Sequence, residues 1–153
     1  MSATVPPRLS VATARSAVLV ERLYAAFEQG DTEAALDSLA DDVVWTEPEN
    51  PWNPTGGTWR GRAGVTKWLA IGRESEEIIE LLPMDFLAKG DTVIVTGHMT
   101  CRARSTNRVY ESDFVHVIQV RDGKIARFQE FFDTWAAAEA FRPQLMSALQ
   151  DIS

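Results

Sequence analysis

The sequence is poor in cysteine and in long hydrophobic runs. Its 153 residues include one cysteine, Cys101, so no internal disulfide can form and a reducing cytoplasm is the expected location. The longest aliphatic run covers residues 17–20, far below the ~20 apolar residues that cross a bilayer. The first residues show no charged segment followed by an apolar one, so no secretion signal is expected. These absences argue against a role in a membrane.

Positive charge and histidine are also scarce. Lys and Arg number 15 against 22 Asp and Glu, and the net charge of −7 disfavours nucleic acid and anionic lipid as partners. His98 precedes Cys101 by three residues, a spacing that places the two side chains on opposite faces of a strand. The glycines between residues 56 and 64 lack the Lys-Ser/Thr of a phosphate loop. We therefore expect no metal, no nucleotide and no other cofactor.

One domain is expected over residues 11–142, between a flexible N-terminal arm (1–10) and a C-terminal extension (143–153). Apolar residues recur every three or four positions from about 11 to 29, which predicts a helix ending at Gly30. Asp31 is the expected N-cap of a short second helix that ends near residues 41–42. The other predicted elements are a strand over 43–47, a helix over about 62–71, strands over about 77–87, 91–103, 108–121 and 124–133, and a last helix capped by Thr134.

This order of elements predicts the fold class. The last four strands are joined by short turns, so neighbouring strands are expected to pair antiparallel. Helices precede the strands and one closes the chain, which is typical of an α+β domain with helices on one face of a curved antiparallel sheet.

Residues 48–60 are rich in Pro and Gly but contain two tryptophans, Trp52 and Trp59. A loop that holds large aromatic side chains can form a lid or the wall of a ligand pocket. The alternative is that both rings simply plug one end of the domain. The sequence leaves the two interpretations open.

Acid–base chemistry is the catalytic class that the residues favour, and it depends on the last hairpin. A two-residue Asp-Gly loop pairs Arg121 with Lys124, whereas a type I turn with a Gly bulge pairs residue 120 with Lys124. In the bulged register His116 and Glu130 lie on one face as diagonal neighbours, close enough to contact each other or one ligand. In the two-residue register Glu130 faces Val115 instead.

Several segments resemble the nuclear transport factor 2-like superfamily, and most closely its SnoaL-like polyketide cyclase and ketosteroid isomerase branch. They are residues 23–31 (LYAAFEQGD), 39–45 (LADDVVW), 58–65 (TWRGRAGV), 114–117 (FVHV), 121–125 (RDGKI) and 128–134 (FQEFFDT). The likeness covers about residues 14–142. It implies a cone-shaped domain in which a curved sheet wraps the N-terminal helices and encloses a deep, mostly apolar pocket. It also favours the bulged register.

The resemblance transfers only some functional residues. The general base of ketosteroid isomerase falls on Glu47, whereas the isomerase tyrosine falls on Leu23, next to Tyr24. The closing-strand aspartate of limonene epoxide hydrolase falls on Glu130, but the Arg and the other Asp of that enzyme fall on Gly97 and Met99. The scaffold therefore matches while neither known active site is complete.

We expect a pocket in which Glu47, His116, Glu130 and Tyr24 are catalytic. A carboxyl group in an aromatic cup is desolvated, which makes it an effective acid or base near neutral pH. The expected substrate-binding residues are Phe27, Trp45, Trp52, Trp59, Met99, Cys101, Phe114 and Phe132.

The expected function is a cofactor-independent isomerase, cyclase or dehydratase for a small hydrophobic cyclic carbonyl or polyketide-like molecule. The alternative is a non-catalytic small-molecule-binding or dimerisation module on the same scaffold. A homodimer is expected to form through the other face of the last hairpin.

Overall fold

The computed structural model describes residues 11–144. In chain order the elements are α1 (Val11–Glu28), α2 (Thr32–Asp37), β1 (Leu39–Glu47), β2 (Gly57–Arg60), α3 (Gly61–Ser75), β3 (Glu76–Lys89), β4 (Thr92–Ala103), β5 (Val109–Arg121), β6 (Lys124–Phe132) and α4 (Thr134–Phe141). The expectations for residues 1–10 and for the chain beyond residue 144 lie outside the described residues.

The six strands form one curved sheet that does not close, in the order β2-β1-β6-β5-β4-β3. The α+β prediction is confirmed, with the N-terminal helices packed on one face of this sheet. All neighbours are antiparallel except β1 and β6, which are parallel. The parallel pair differs from the expected all-antiparallel sheet: residues 44–46 of β1 run in the same direction as residues 127–129 of β6.

The predicted end of α1 matches the structure. Gly30 has a φ of +68°, the left-handed conformation that terminates a helix at little steric cost in glycine. Asp31 then caps α2, since its carboxylate accepts a hydrogen bond from the backbone N–H of Ala34 at 3.1 Å. The closing helix differs from expectation, because Asp133 rather than Thr134 caps α4.

Strand β1 begins earlier than the sequence indicates. The second helix was expected to reach residues 41–42, but it ends at Asp37 and β1 starts at Leu39. The backbone N–H of Ile125 donates to the carbonyl of Ser38 at 2.8 Å, and Leu39 pairs with Ile125. Pairing with β6 therefore holds this segment extended.

The segment 48–60 contains a strand as well as a loop. Its last four residues, Gly57–Arg60, form β2 and pair with residues 44–47 of β1. This pairing satisfies the backbone groups on the outer edge of β1, which would otherwise be unpaired.

The expected bulged turn in the last hairpin is wrong. Arg121 pairs with Lys124, and Asp122 and Gly123 have φ values of +51° and +74°, as a two-residue type I′ turn requires. The register then shifts beyond Val120, so that Gln119 pairs with Arg127. The bulge therefore exists, but it lies in β6 rather than in the turn.

Buried apolar side chains from α1 and from the inner face of the sheet form one core. Its largest fully buried members are Trp45, Phe114, Leu23, Leu39, Ile118 and Ile125. On β4 and β5, burial alternates residue by residue, so one face is packed against the helices and the other faces outward.

Candidate functional site

His116 and Glu130 lie directly opposite each other on β5 and β6. His116 Nε2 and Glu130 Oε2 are 2.5 Å apart, and the two side chains are 5% and 13% exposed. The sequence predicted that they share a face as diagonal neighbours, whereas the shifted register makes them direct cross-strand partners. The pair forms although the turn is not the predicted one, because the bulge in β6 returns His116 and Glu130 to the same face of the sheet.

Tyr24 reaches the same histidine from α1. Its hydroxyl contacts His116 Nδ1, while the other ring nitrogen contacts Glu130. In a neutral imidazole, Nε2–H donates to Glu130 and Nδ1 accepts from the tyrosine O–H. Burial raises the pKa of Tyr24, and the charge on Glu130 raises it further, so this hydroxyl remains protonated. The arrangement is a hydrogen-bonded chain from Tyr24 through His116 to Glu130.

Glu47 is the last residue of β1 and is only 8% exposed. Burial raises its pKa to about 8, with a further increase from the charge on Glu130 and a hydrogen bond to Thr55 acting in the opposite direction. Its Oε2 is buried and has no hydrogen-bond partner. At neutral pH this carboxyl group is therefore mostly protonated, and a smaller fraction is ionised and able to act as a base.

Aromatic rings enclose these polar groups. Phe114 stacks on His116 with ring centroids 4.3 Å apart, and Phe128 lies 4.7 Å from the same ring. Phe128 also stacks on Trp45 at 3.8 Å. These rings keep water away from His116, while the low exposure of Glu47 itself makes desolvation the largest contribution to the raised pKa of Glu47.

Most of the expected substrate-binding residues face this interior. Trp45, Met99, Cys101 and Phe114 are buried, and Phe27, Trp59 and Phe132 are partly buried against the core. Trp52 differs, because its side chain is 51% exposed and lies against the guanidinium of Arg142 at 5.9 Å. Of the two tryptophans in segment 48–60, one therefore packs on the core and the other stays at the surface.

Sequence reasoning missed a second polar cluster on the inner face. Tyr110 donates from its hydroxyl to Glu76 Oε2 at 2.5 Å, and Cys101 pairs with Tyr110 across β4 and β5. Tyr110 could have been found, because it shares the two-residue period of Phe114 and His116. Glu76 stands among several acidic residues at the end of α3, and no pattern distinguishes it.

The linings of three surface cavities in the described part of the chain include none of the four expected catalytic residues. One of about 440 Å³ is bounded by segment 48–60, the end of α3, the β4–β5 turn and the end of α4.

Within residues 11–144, no three side chains of the metal-binding types are grouped to hold an ion. Among the helices of the same residues, none combines the length and apolar character needed to cross a membrane.

The architecture defines the class of protein: a helix-lined, curved open sheet of the nuclear transport factor 2-like type. The model of the SnoaL-like domain family matches residues 20–128. The chain therefore belongs to the SnoaL-like domain family. No match was found among functionally curated proteins.

Solved structures agree with this assignment. An NTF2-like protein from Burkholderia xenovorans is 36% identical, covering 87% of this chain and 100% of its own, with a TM-score of 0.79. TerC, co-crystallised with polyporic acid, is 30% identical over 84% of this chain and 99% of its own, with a TM-score of 0.73. An NTF2-like protein from Burkholderia thailandensis is 28% identical over 84% and 98%, with a TM-score of 0.77.

Proposed function

We propose that this protein is a cofactor-independent acid–base enzyme, an isomerase, cyclase or dehydratase, acting on a small hydrophobic cyclic carbonyl or polyketide-like molecule. The observation that carries the proposal is Glu47, a buried carboxyl group with a pKa of about 8 beside the Tyr24–His116–Glu130 chain. A catalytic acid or base works best when its pKa lies near the working pH.

Each group has a role in this mechanism. Ionised Glu47 removes a proton from the carbon next to a substrate carbonyl. For this role His116 carries a proton on both ring nitrogens: the Nε2–H stays on Glu130, and the Nδ1–H donates a hydrogen bond to the developing enolate oxygen or returns the proton. The Tyr24 hydroxyl, which then no longer donates to Nδ1, is a second donor at the same oxygen. Because the interior is apolar, these hydrogen bonds are stronger than they would be in water.

A similar protein supports a small-molecule ligand. TerC, at 30% identity over nearly its whole length, was co-crystallised with polyporic acid. A compact organic molecule is therefore a reasonable occupant of the corresponding region here, and the aromatic rings around His116 favour a hydrophobic one.

Deuterium uptake tests the proposal. The purified protein is incubated in heavy water with 2-tetralone and related hydrophobic ketones, and loss of the α-proton NMR signal is followed. We expect uptake by the wild type, with Glu47→Gln and His116→Ala slower by at least about 100-fold. Glu80→Gln and His98→Ala are matched controls on the outer surface and should exchange at the wild-type rate. Equal rates in all five proteins would refute the assigned roles.

The second candidate is a non-catalytic binding module, favoured by the observation that the cavities described above are lined by other residues than the four polar ones. The fluorescence of bound N-phenyl-1-naphthylamine, measured as a function of pH, distinguishes the acid–base enzyme from the non-catalytic binding module. A catalytic Glu47 near the ligand gives a midpoint near neutrality that Glu47→Gln removes, whereas a passive pocket gives none.

We also propose that two copies associate through the outer face of β5 and β6 and that the protein acts in the cytoplasm. Phe131 is 48% exposed on this face, and Val115 and Val117 lie beside it. Sedimentation at micromolar concentration should show a dimer that Phe131→Asp dissociates.

Cys101 is a buried free thiol, as expected in a reducing compartment. A fluorescent fusion should show diffuse cytoplasmic signal.

A further inference from the structure

The second polar cluster lies at the other end of the inner face from Tyr24. Tyr110 is buried on β5 beside Cys101, and its hydroxyl donates to Glu76 Oε2 at 2.5 Å. Glu76 is the first residue of β3 and pairs with Ala103, the last residue of β4. Its side chain therefore lies at this end of the sheet. The mechanism proposed above uses none of these groups.

The electrostatics of this cluster suit a proton donor. Burial raises the pKa of Glu76, while the hydrogen bond from Tyr110 lowers it and so stabilises the carboxylate that would form on proton loss. None of the ion pairs formed by residues 11–144 includes Glu76, so no cation holds it in the charged form. The pKa of Tyr110 is raised by burial and by Glu76, which keeps the phenol protonated.

Glu76 is also close to solvent, unlike Glu47. It is partly exposed and directly follows Ser75, which lines the cleft of about 440 Å³. Phe141 lines the same cleft and packs on Tyr110, with ring centroids 6.4 Å apart. The charges on Glu76 and Glu130 both contribute to the raised pKa of Glu47. The cluster therefore borders the cleft through Phe141 and Ser75, and Glu76 is near enough to Glu47 for its charge to act on that carboxyl group.

We propose that Glu76 is a second catalytic residue, a proton donor positioned by Tyr110, and that the substrate enters from this cleft with two oxygen functions, as in a β-hydroxy ketone. This inference rests on the proposed function. Glu47 takes the proton between the carbonyl and the hydroxyl-bearing carbon. The electron pair forms a C=C bond, the C–O bond breaks, and the carboxyl proton of Glu76 passes to the departing oxygen, which leaves as water.

The test separates the two proton transfers with one probe, 4-hydroxy-4-phenylbutan-2-one. Exchange of its C3 protons in heavy water reports removal of a proton from carbon. The absorbance of the conjugated enone reports elimination. We expect Glu76→Gln to eliminate at least about 100-fold more slowly while C3 exchange stays within about threefold of wild type. Retained exchange also shows that the variant is folded. Glu80→Gln, an exposed glutamate on the same strand, should match the wild type in both assays.

Tyr110→Phe tests the positioning role. Loss of its hydrogen bond removes the contribution that lowers the pKa of Glu76. The pH at which elimination declines, because the donor has lost its proton, should therefore move upward while C3 exchange is unaffected. Glu76→Gln in the same background should abolish this pH-dependent decline in the residual elimination, because the group that titrates is then absent.

Each other outcome contradicts a specific step. Absence of C3 exchange in the wild type, with Glu47→Gln indistinguishable from it, counts against the proposed function itself. Exchange that disappears in Glu76→Gln would place this residue in the same proton transfer as Glu47 and overturn the assignment of a separate donor. Wild-type elimination by Glu76→Gln, or exchange without elimination in the wild type, would also overturn it.

Discussion

His98 and His116 lie on neighbouring strands of one sheet, and each contacts a carboxylate, but they face opposite ways. His98 lies on the outer face, 2.9 Å from Asp113 and 3.8 Å from Glu111, with its side chain 35% exposed. His116 lies on the inner face, between Tyr24 and Glu130. The same residue types thus form a solvated ion pair on one side of the sheet and a desolvated hydrogen-bonded chain on the other.

The difference shows that environment decides what a histidine–carboxylate pair does. On the outer face, water and salt compete for both partners, and such pairs contribute little to stability. On the inner face, each partner has lost its water, and removal of one leaves the other buried without compensation. For this reason the functional proposal places the inner pair, and not the outer one, beside Glu47.

The largest expected effect comes from breaking the inner chain. His116→Ala leaves Glu130 and Tyr24 without their shared partner and opens a cavity beneath Phe114, so it should cost about 3 kcal/mol of the free energy of unfolding. Urea denaturation at pH 7 measures this. His98→Ala is the matched outer control and should shift the urea midpoint far less; equal losses in the two variants would contradict the comparison.

The next effect comes from crowding the ring that covers His116. Gly97 faces Phe114 across β4 and β5, and a Cβ at Gly97 would overlap both the Phe114 ring and the carbonyl oxygen of Leu82. Gly97→Ala should therefore destabilise the fold by about 2 kcal/mol, since backbone and ring must shift. A thermal melt by circular dichroism checks it. Gly90→Ala has open space around its Cβ but a positive φ, so it isolates backbone strain from overlap.

A smaller effect is the pH dependence caused by Glu47. Its pKa is about 8 in the folded protein against 4.5 for an ordinary glutamate, so between these values the folded state holds a proton that the unfolded state lacks. Stability should fall as pH rises from about 5 to 8, by at most ~1.4 kcal/mol per pH unit for this one proton. Glu47→Gln should reduce the slope of urea midpoint against pH, and an unchanged slope would show that Glu47 ionises normally.

The smallest effect belongs to the outer histidine. Hydrogen bonding to Asp113 raises the pKa of His98, so the stability it adds is present below pH 6.5 and is lost as pH rises through the raised value. His98→Asn should therefore lower the urea midpoint below about pH 6.5 and leave it unchanged at pH values above the raised pKa. Because the pair is solvated, 1 M NaCl should abolish the difference, whereas the effect of Glu47→Gln should persist.

The inner and outer faces were largely predictable from sequence. The period of two along β5 places Phe114 and His116 on one face and Val115 on the other, and this holds for any regular strand. The helix end at Gly30 and the cap at Asp31 were predictable because they depend on local chemistry alone.

Features that depend on distant pairing were not predictable. Ala126 is the residue of β6 that has no partner on β5 where the register shifts. At the same point β6 also pairs with β1 on its other side, so the bulge depends on a strand far away in the sequence. The approach of Tyr24 to His116 joins residues far apart in the chain, from a helix and a strand that no local pattern relates. Glu76 is identified as part of the polar cluster only by the hydrogen bond that it accepts from Tyr110 in the folded protein.

The parallel pairing of β1 with β6 has a consequence for synthesis of the chain. Residues 44–46 of β1 pair with residues 127–129 of β6, which leave the ribosome more than eighty residues later. Until then β1 has at most β2 beside it, and Glu47 has not met Glu130. The candidate site is therefore among the last parts of the molecule to be assembled, so a nascent chain arrested before β6 would carry every residue of β1 yet no competent acid–base centre.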